Sequence, residues 1–283
     1  MENYKKTLDR IGISYLGGMK HSAKMMKSYK RNVATYCLYL APATMAGRSA
    51  NGTRINVCPK SQFCSKWCLN SSGHNKADIL SHGDGRQSTI NQCRIKKTKL
   101  FYDDRNTFMD ILIHEIERSR KYAADHGMEF AIRLNGTSDI SPERFTMKKD
   151  GEQVGKNILE MYPDVQFYDY TKVFKRTELQ GKYPNYDVTF SYDGHNWEEC
   201  EAYLKRGGKV AVVFDSEKMP KTWRGYRVID ANDYDMRYLD PKGCIMGLEF
   251  HPIAMDGKVM HANEIDDPFI VKTENNPEVD FGF

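Results

Sequence analysis

Three cysteines fall within one short stretch, Cys58-Pro59-Lys60-Ser61-Gln62-Phe63-Cys64-Ser65-Lys66-Trp67-Cys68. Thiolates are soft ligands that suit zinc, copper(I) and iron–sulfur clusters. Three thiols in one Gly-, Pro- and Ser-punctuated loop can close around one metal centre. Three ligands without an obvious fourth leave a coordination position open, which is where metal chemistry takes place. A 4Fe–4S cluster whose fourth iron binds a small molecule meets that description. Zinc is the alternative, because His74 or His82 would complete a Cys3His set. The other four cysteines, Cys37, Cys93, Cys200 and Cys244, lie in apolar or helical contexts and read as small buried hydrophobes. Seven unevenly placed cysteines do not resemble a secreted disulfide framework.

The loop follows a β-branched, aromatic run, Val33–Leu40, that reads as a buried strand. A helical pattern runs from Arg86 to about His126, broken and recapped around Asp103, Asp104 and Asn106. Strands and helices then alternate. Strands are expected at 129–134, 165–170, 186–190, 209–214, 226–229 and 245–250, with helices at 157–162 and 197–206. Strands separated by helices pair in parallel through crossovers. The expected fold is therefore α/β, a partial or complete (β/α) barrel of about six or seven mainly parallel strands, with the cysteine loop after the first. A doubly wound open sheet is the alternative. The chain reads as one domain (1–283), with a basic N-terminal extension (1–32), a barrel-like core (33–251) and a C-terminal tail (252–283).

In α/β barrels the reactive groups sit at the C-terminal ends of the strands. Those ends carry Asn135, Thr137, Ser138 and Asp139, then Tyr170 and Lys172, Ser191 and Asp193, Asp215, Asp230 and His251. Together they would ring one mouth. Asp139 and Asp193 could alternatively form an acid/base pair of a hydrolase or transferase, with any metal purely structural.

The order of parts resembles radical S-adenosylmethionine enzymes. In those, a three-cysteine loop after the first strand holds a 4Fe–4S cluster, and an aromatic residue, here Trp67, precedes the third cysteine. The spacing here is C-x5-C-x3-C, where that family has C-x3-C-x2-C, and the usual Gly-Gly-Glu is absent. The resemblance implies that Cys58, Cys64 and Cys68 ligate the cluster. It places Asn135, Gly136, Thr137, Ser138 and Asp139 around the methionyl amine, and Ser191 and Asp193 at the ribose of S-adenosylmethionine. Lys172, Tyr170 and Asp215 would then face the substrate. Most of the chain, from about Val33 to about Asp215, also resembles the phage gene product eighty-eight-like proteins. The stretches that carry this resemblance are the cysteine loop, Arg133–Ile140, Phe167–Lys172 and the Ser191-Tyr192-Asp193 strand end. It implies a viral or mobile-element origin and no settled reaction.

The chain has 283 residues, 40% of them hydrophobic and 12% aromatic, which describes a globular protein. Mean hydropathy is −0.67. No apolar stretch approaches a membrane span, and the N-terminal stretch lacks the apolar core of a signal peptide. A cytoplasmic location, in the host cell if phage-encoded, is expected, with no membrane partner. The net charge of +4 is too small to announce a nucleic-acid binder. Two basic runs, Lys20/Lys24/Lys27/Lys30/Arg31 and Arg94/Lys96/Lys97/Lys99, read as solvated helix faces, with phosphate contact as the second reading. The partners expected of a radical enzyme are a small-molecule cofactor, an electron donor, and a nucleotide or nucleic acid as substrate. A zinc-stabilised nucleic-acid-binding or replication-accessory protein is the alternative.

Overall fold

The computed structural model describes residues 4–20, 23–83 and 85–282, without the side chains of Ala23 and Lys24. Lys24 in the first basic run, and residues 1–3, therefore lie outside what is described. Seven parallel strands form the centre of one sheet: β1 (Val33–Leu38), β2 (Glu129–Arg133), β3 (Gln166–Thr171), β4 (Tyr186–Ser191), β5 (Lys209–Phe214), β6 (Tyr226–Asp230) and β7 (Ile245–Glu249). Their spatial order is β1-β2-β3-β4-β5-β7-β6.

The expected barrel does not form. The sheet is open and mixed, with 11 strands. Two features prevent closure. The chain reverses its order at the far side, where β7 inserts between β5 and β6. Both ends of the parallel array are also covered by antiparallel strands, Gly17–Gly18 on β1 and Thr222–Trp223 on β6. The backbone groups that would have to join β1 to β6 are thus already paired. The C-terminal segment enters the same sheet: Ile270–Val271 pairs with the end of β5, and Val279–Asp280 with Thr222–Trp223.

Strand alternation sends two different sets of side chains to the two faces. One face is apolar. Tyr36, Leu38, Ile132, Phe167 and Val188 pack there beneath the two helices that follow helix α1 (Gly73–His82), namely Phe101 of helix α2 (Thr89–Asp103) and Phe108, Leu112 and Ile116 of helix α3 (Arg105–Asp125). The break between the helices is set by Asp104, whose carboxylate accepts the Thr107 N–H at 3.1 Å as the cap of α3. The other face carries Thr35, Cys37, Arg133, Tyr168, Tyr170 and Asp187, and the segment 231–240 crosses it. Asp235 of that segment is fully buried. It takes an ion pair from Arg133 at 2.6 Å and hydrogen bonds from Tyr170 and Tyr168 at 3.4 and 3.5 Å.

Candidate functional site

The cysteine loop lies across the C-terminal ends of the parallel strands and is pinned by aromatic side chains. Phe63 stacks on His195, just after β4, with ring centroids 4.0 Å apart. Trp67 is buried with Phe250, Ile253, Phe269 and Ile270, and Cys64 packs against the same cluster. At its start, Cys58 accepts a hydrogen bond from the Ala43 N–H at 3.3 Å and points its thiol at the Thr137 carbonyl at 3.9 Å.

The segment after β2 is a polar knot that holds this loop in place. The Asn135 side chain bonds Ser138, both backbone groups of Ile140, and Asp169 at 2.8–2.9 Å. The Thr137 hydroxyl donates to the Leu40 carbonyl at 2.5 Å, and the Asp139 N–H to the Val57 carbonyl at 2.8 Å. The Asp139 carboxylate accepts from the Thr171 hydroxyl at 2.8 Å, the Lys172 N–H at 2.9 Å and the buried Arg176 guanidinium. A Cβ on Gly136 would meet the Tyr39 ring at 2.5 Å and the Leu38 carbonyl oxygen at 2.8 Å, so only glycine lets β1 and β2 end this close together. These five residues, expected around a cofactor, are thus engaged with one another and with the root of the cysteine loop.

The remaining candidates divide. Ser191 and Asp193 are buried at the end of β4, where Asp193 accepts the His195 N–H at 2.9 Å and so braces the Phe63 contact. Asp215 holds the C-terminal segment through the N–H and hydroxyl of Thr273, each at 2.9 Å. Tyr170 faces Arg133 and Asp235 on the polar face. Burial, reinforced by the Asp235 charge, pushes its phenol well above its ordinary value. Lys172 alone turns a free ammonium toward the loop. That ammonium lies 5.5 Å over the Phe269 ring and makes no ion pair among the described residues. His82 bonds the Asp78 carbonyl at 2.8 Å, and His74 is exposed on the helix Gly73–His82.

The thiols of Cys58 and Cys68 are both shifted by their surroundings. Burial pushes the Cys58 thiol up to about 12, with Cys68, Asp139 and Cys64 adding to the rise. Burial also raises the Cys68 thiol, while the Asn70 N–H and the charges of Lys172 and Arg94 draw it back toward ionisation. The donor set suits a metal in kind, although burial favours the protonated thiols and only the Asn70 N–H, Lys172 and Arg94 oppose this at Cys68. The arrangement does not fit as it stands. Among the described residues, no three His, Cys, Asp or Glu side chains are placed to hold a metal ion. The indole N–H of Trp67 is buried without an acceptor, a loss of about 1–3 kcal/mol unless something accepts from it. On its outer side the loop borders an open cleft of about 460 Å3 lined by Arg54, Asn56, Ser61, Gln62 and Ser65.

Sequence reasoning missed two sets of residues. Asp235 shows no local signal, because its partner Arg133 is 102 residues away. Lys97 was read as part of a solvated face and is 6% exposed, although its neighbours Lys96 and Lys99 are exposed. Among the described residues no helix is long and apolar enough to cross a membrane. Neither the curated proteins nor the solved structures contain a match to this chain. One family model does match, over residues 17–262, and it spans the seven parallel strands, the polar knot and the cysteine loop together. The chain belongs to the phage gene product 88 family.

Proposed function

We propose that this protein is an iron–sulfur enzyme of the radical S-adenosylmethionine type, acting on a nucleotide or nucleic acid, with Cys58, Cys64 and Cys68 taking the cluster. The observation that carries this reading is the setting of Cys68. Burial raises its thiol, and the charges of Lys172 and Arg94 act on it in the opposite sense, toward the thiolate a metal would need. When bound, the cluster would supply one-electron reduction of the sulfonium cofactor, from an external electron donor. The chain's own residues do the rest. Arg94 and Lys172 offset the negative charge of the thiolates, and the Trp67 N–H offers a donor to an anionic acceptor. The knot at Asp139 fixes Val57 and so the root of the loop.

The test is iron, sulfide and zinc analysis of protein purified without oxygen. The expected result is a brown protein with broad visible absorbance and iron matched by sulfide, lost on replacing the three cysteines by serine. A colourless protein with stoichiometric zinc would overturn it. That outcome favours the second reading, a zinc-stabilised nucleic-acid binder. One observation supports this second reading: Lys20 lies 4.5 Å over the Tyr29 ring and 5.2 Å over Tyr122, and Tyr122 stacks on His126 at 3.9 Å. Such an exposed basic and aromatic patch suits stacked bases and phosphates.

A further inference from the structure

Helix α2 carries two cations into the protein with no carboxylate to meet them. Lys97 is 6% exposed, and its ammonium lies 4.4 Å over the Tyr15 ring. Arg94, one turn earlier, lies 5.2 Å over the Tyr39 ring and donates to the Asn70 side-chain oxygen. Neither makes an ion pair among the described residues. The nearest carboxylate to weigh on Lys97 is Glu115, and it is already engaged. It accepts from the Leu16 and Gly17 N–H groups at 2.9 Å and from the hydroxyls of Tyr4 and Tyr36 at 2.7 and 2.6 Å. Burial lowers both cations below their ordinary values.

Cation–π contacts recover only a fraction of what it takes to remove an ammonium or guanidinium from water. Chains avoid burying such groups unless a partner offsets the charge. No ion pair among the described residues offsets the two charges, which leaves them available to an anion seated beside α2, the Tyr15–Leu16 segment and Asn70. The pair carries two positive charges three residues apart on one helix face, which match the two negative charges of a phosphate monoester better than the single charge of a carboxylate. Tyr15, 37% exposed, covers the site from the solvent side. Asn70, which Arg94 bonds, follows Cys68 by two residues, so the anion would lie beside the cysteine loop.

We infer that Arg94 and Lys97 form a binding site for a phosphate monoester. This gives the substrate class for the reading above and rests on that reading only in calling the ligand a substrate. Binding itself needs no metal. The test is therefore made on metal-free protein, by calorimetry and 31P NMR with AMP, inorganic phosphate, adenosine and acetate. AMP and phosphate should bind and raise the melting temperature, while adenosine and acetate should not. Lys97→Met and Arg94→Met should each weaken AMP by about tenfold or more. Lys99→Met, which removes an exposed charge of the same helix, should retain binding. The Cys58→Ser, Cys64→Ser, Cys68→Ser variant should also retain it, which separates this site from the metal. Absence of AMP binding to the wild type would overturn the inference even if the α2 variants fail to fold. So would unchanged affinity in both α2 variants, or acetate binding as well as phosphate.

Discussion

Two buried cationic centres lie near the same edge of the sheet and are built in opposite ways. Arg176 is 4% exposed and meets two carboxylates, Asp139 directly and Asp169 at 3.8 Å, with the Tyr186 hydroxyl at 2.6 Å. Arg94 and Lys97 meet rings and an amide. The first centre is closed. Its cation is met by carboxylates of the chain itself, and its bonds tie β2, β3 and the cysteine loop together. The second is open to a partner from outside. A buried charge with carboxylates of its own is a strut, and one without them is a receptor.

The largest expected effect comes from breaking the closed centre. Arg176→Met would leave Asp139 and Asp169 buried and uncompensated, at a cost of about 3–5 kcal/mol, measurable as a lower urea midpoint. If the variant is as stable as the wild type, the strut assignment fails.

The open centre should respond with the opposite sign. Lys97→Met removes a buried charge that has no ion-pair partner among the described residues, so ligand-free protein at neutral pH should gain about 1–3 kcal/mol. The pH dependence follows from burial, which lowers Lys97 from 10.5 to about 8, against the opposing charges of Glu115 and Cys93 and with Arg94 beside it. A lysine depressed in the folded state penalises folding fully below about 8. The penalty is relieved as pH rises from there toward 10.5. The advantage of Lys97→Met should therefore shrink across that window. A constant advantage, or a loss of stability at pH 7, would put Lys97 among ordinary structural residues.

The smallest effect tests how the closed centre distributes its bonds. Thr171→Val removes one donor to Asp139 and the acceptor of the Val173 N–H. About 1–2 kcal/mol should be lost, because the Lys172 N–H and Arg176 still hold Asp139. Chemical denaturation at neutral pH measures it.

The positions of the parallel strands were legible because each is a compact apolar or aromatic run bounded by Gly, Asn or Asp. Their arrangement was not. An alternation of strands and helices says that strands pair in parallel, and nothing in 245–249 announces that it inserts beside β5 ahead of β6. The barrel expectation failed at that point. The helix Gly73–His82 escaped notice because it buries only Asn75 and Ile79, too few to print a period. At the site, the cysteine loop stood out by composition alone. Its pins did not, because Phe63–His195 and Trp67–Phe250 join distant parts of the chain. Lys97 was hidden among Lys96 and Lys99, since a run of basic residues does not say which one turns inward.

The insertion of β7 also sets an order of events during synthesis. β6 can form a hairpin with Thr222–Trp223 as soon as it is made, but it has no place in the main sheet until residues 245–249 emerge and dock on β5. The hairpin is then completed only by Val279–Asp280, near the end of the chain. On the ribosome, the far side of the sheet is therefore the last part to assemble. Until 245–249 dock, the edge of β5 is exposed, and a chain stalled before they emerge would carry an unpaired edge strand open to aggregation and to proteases.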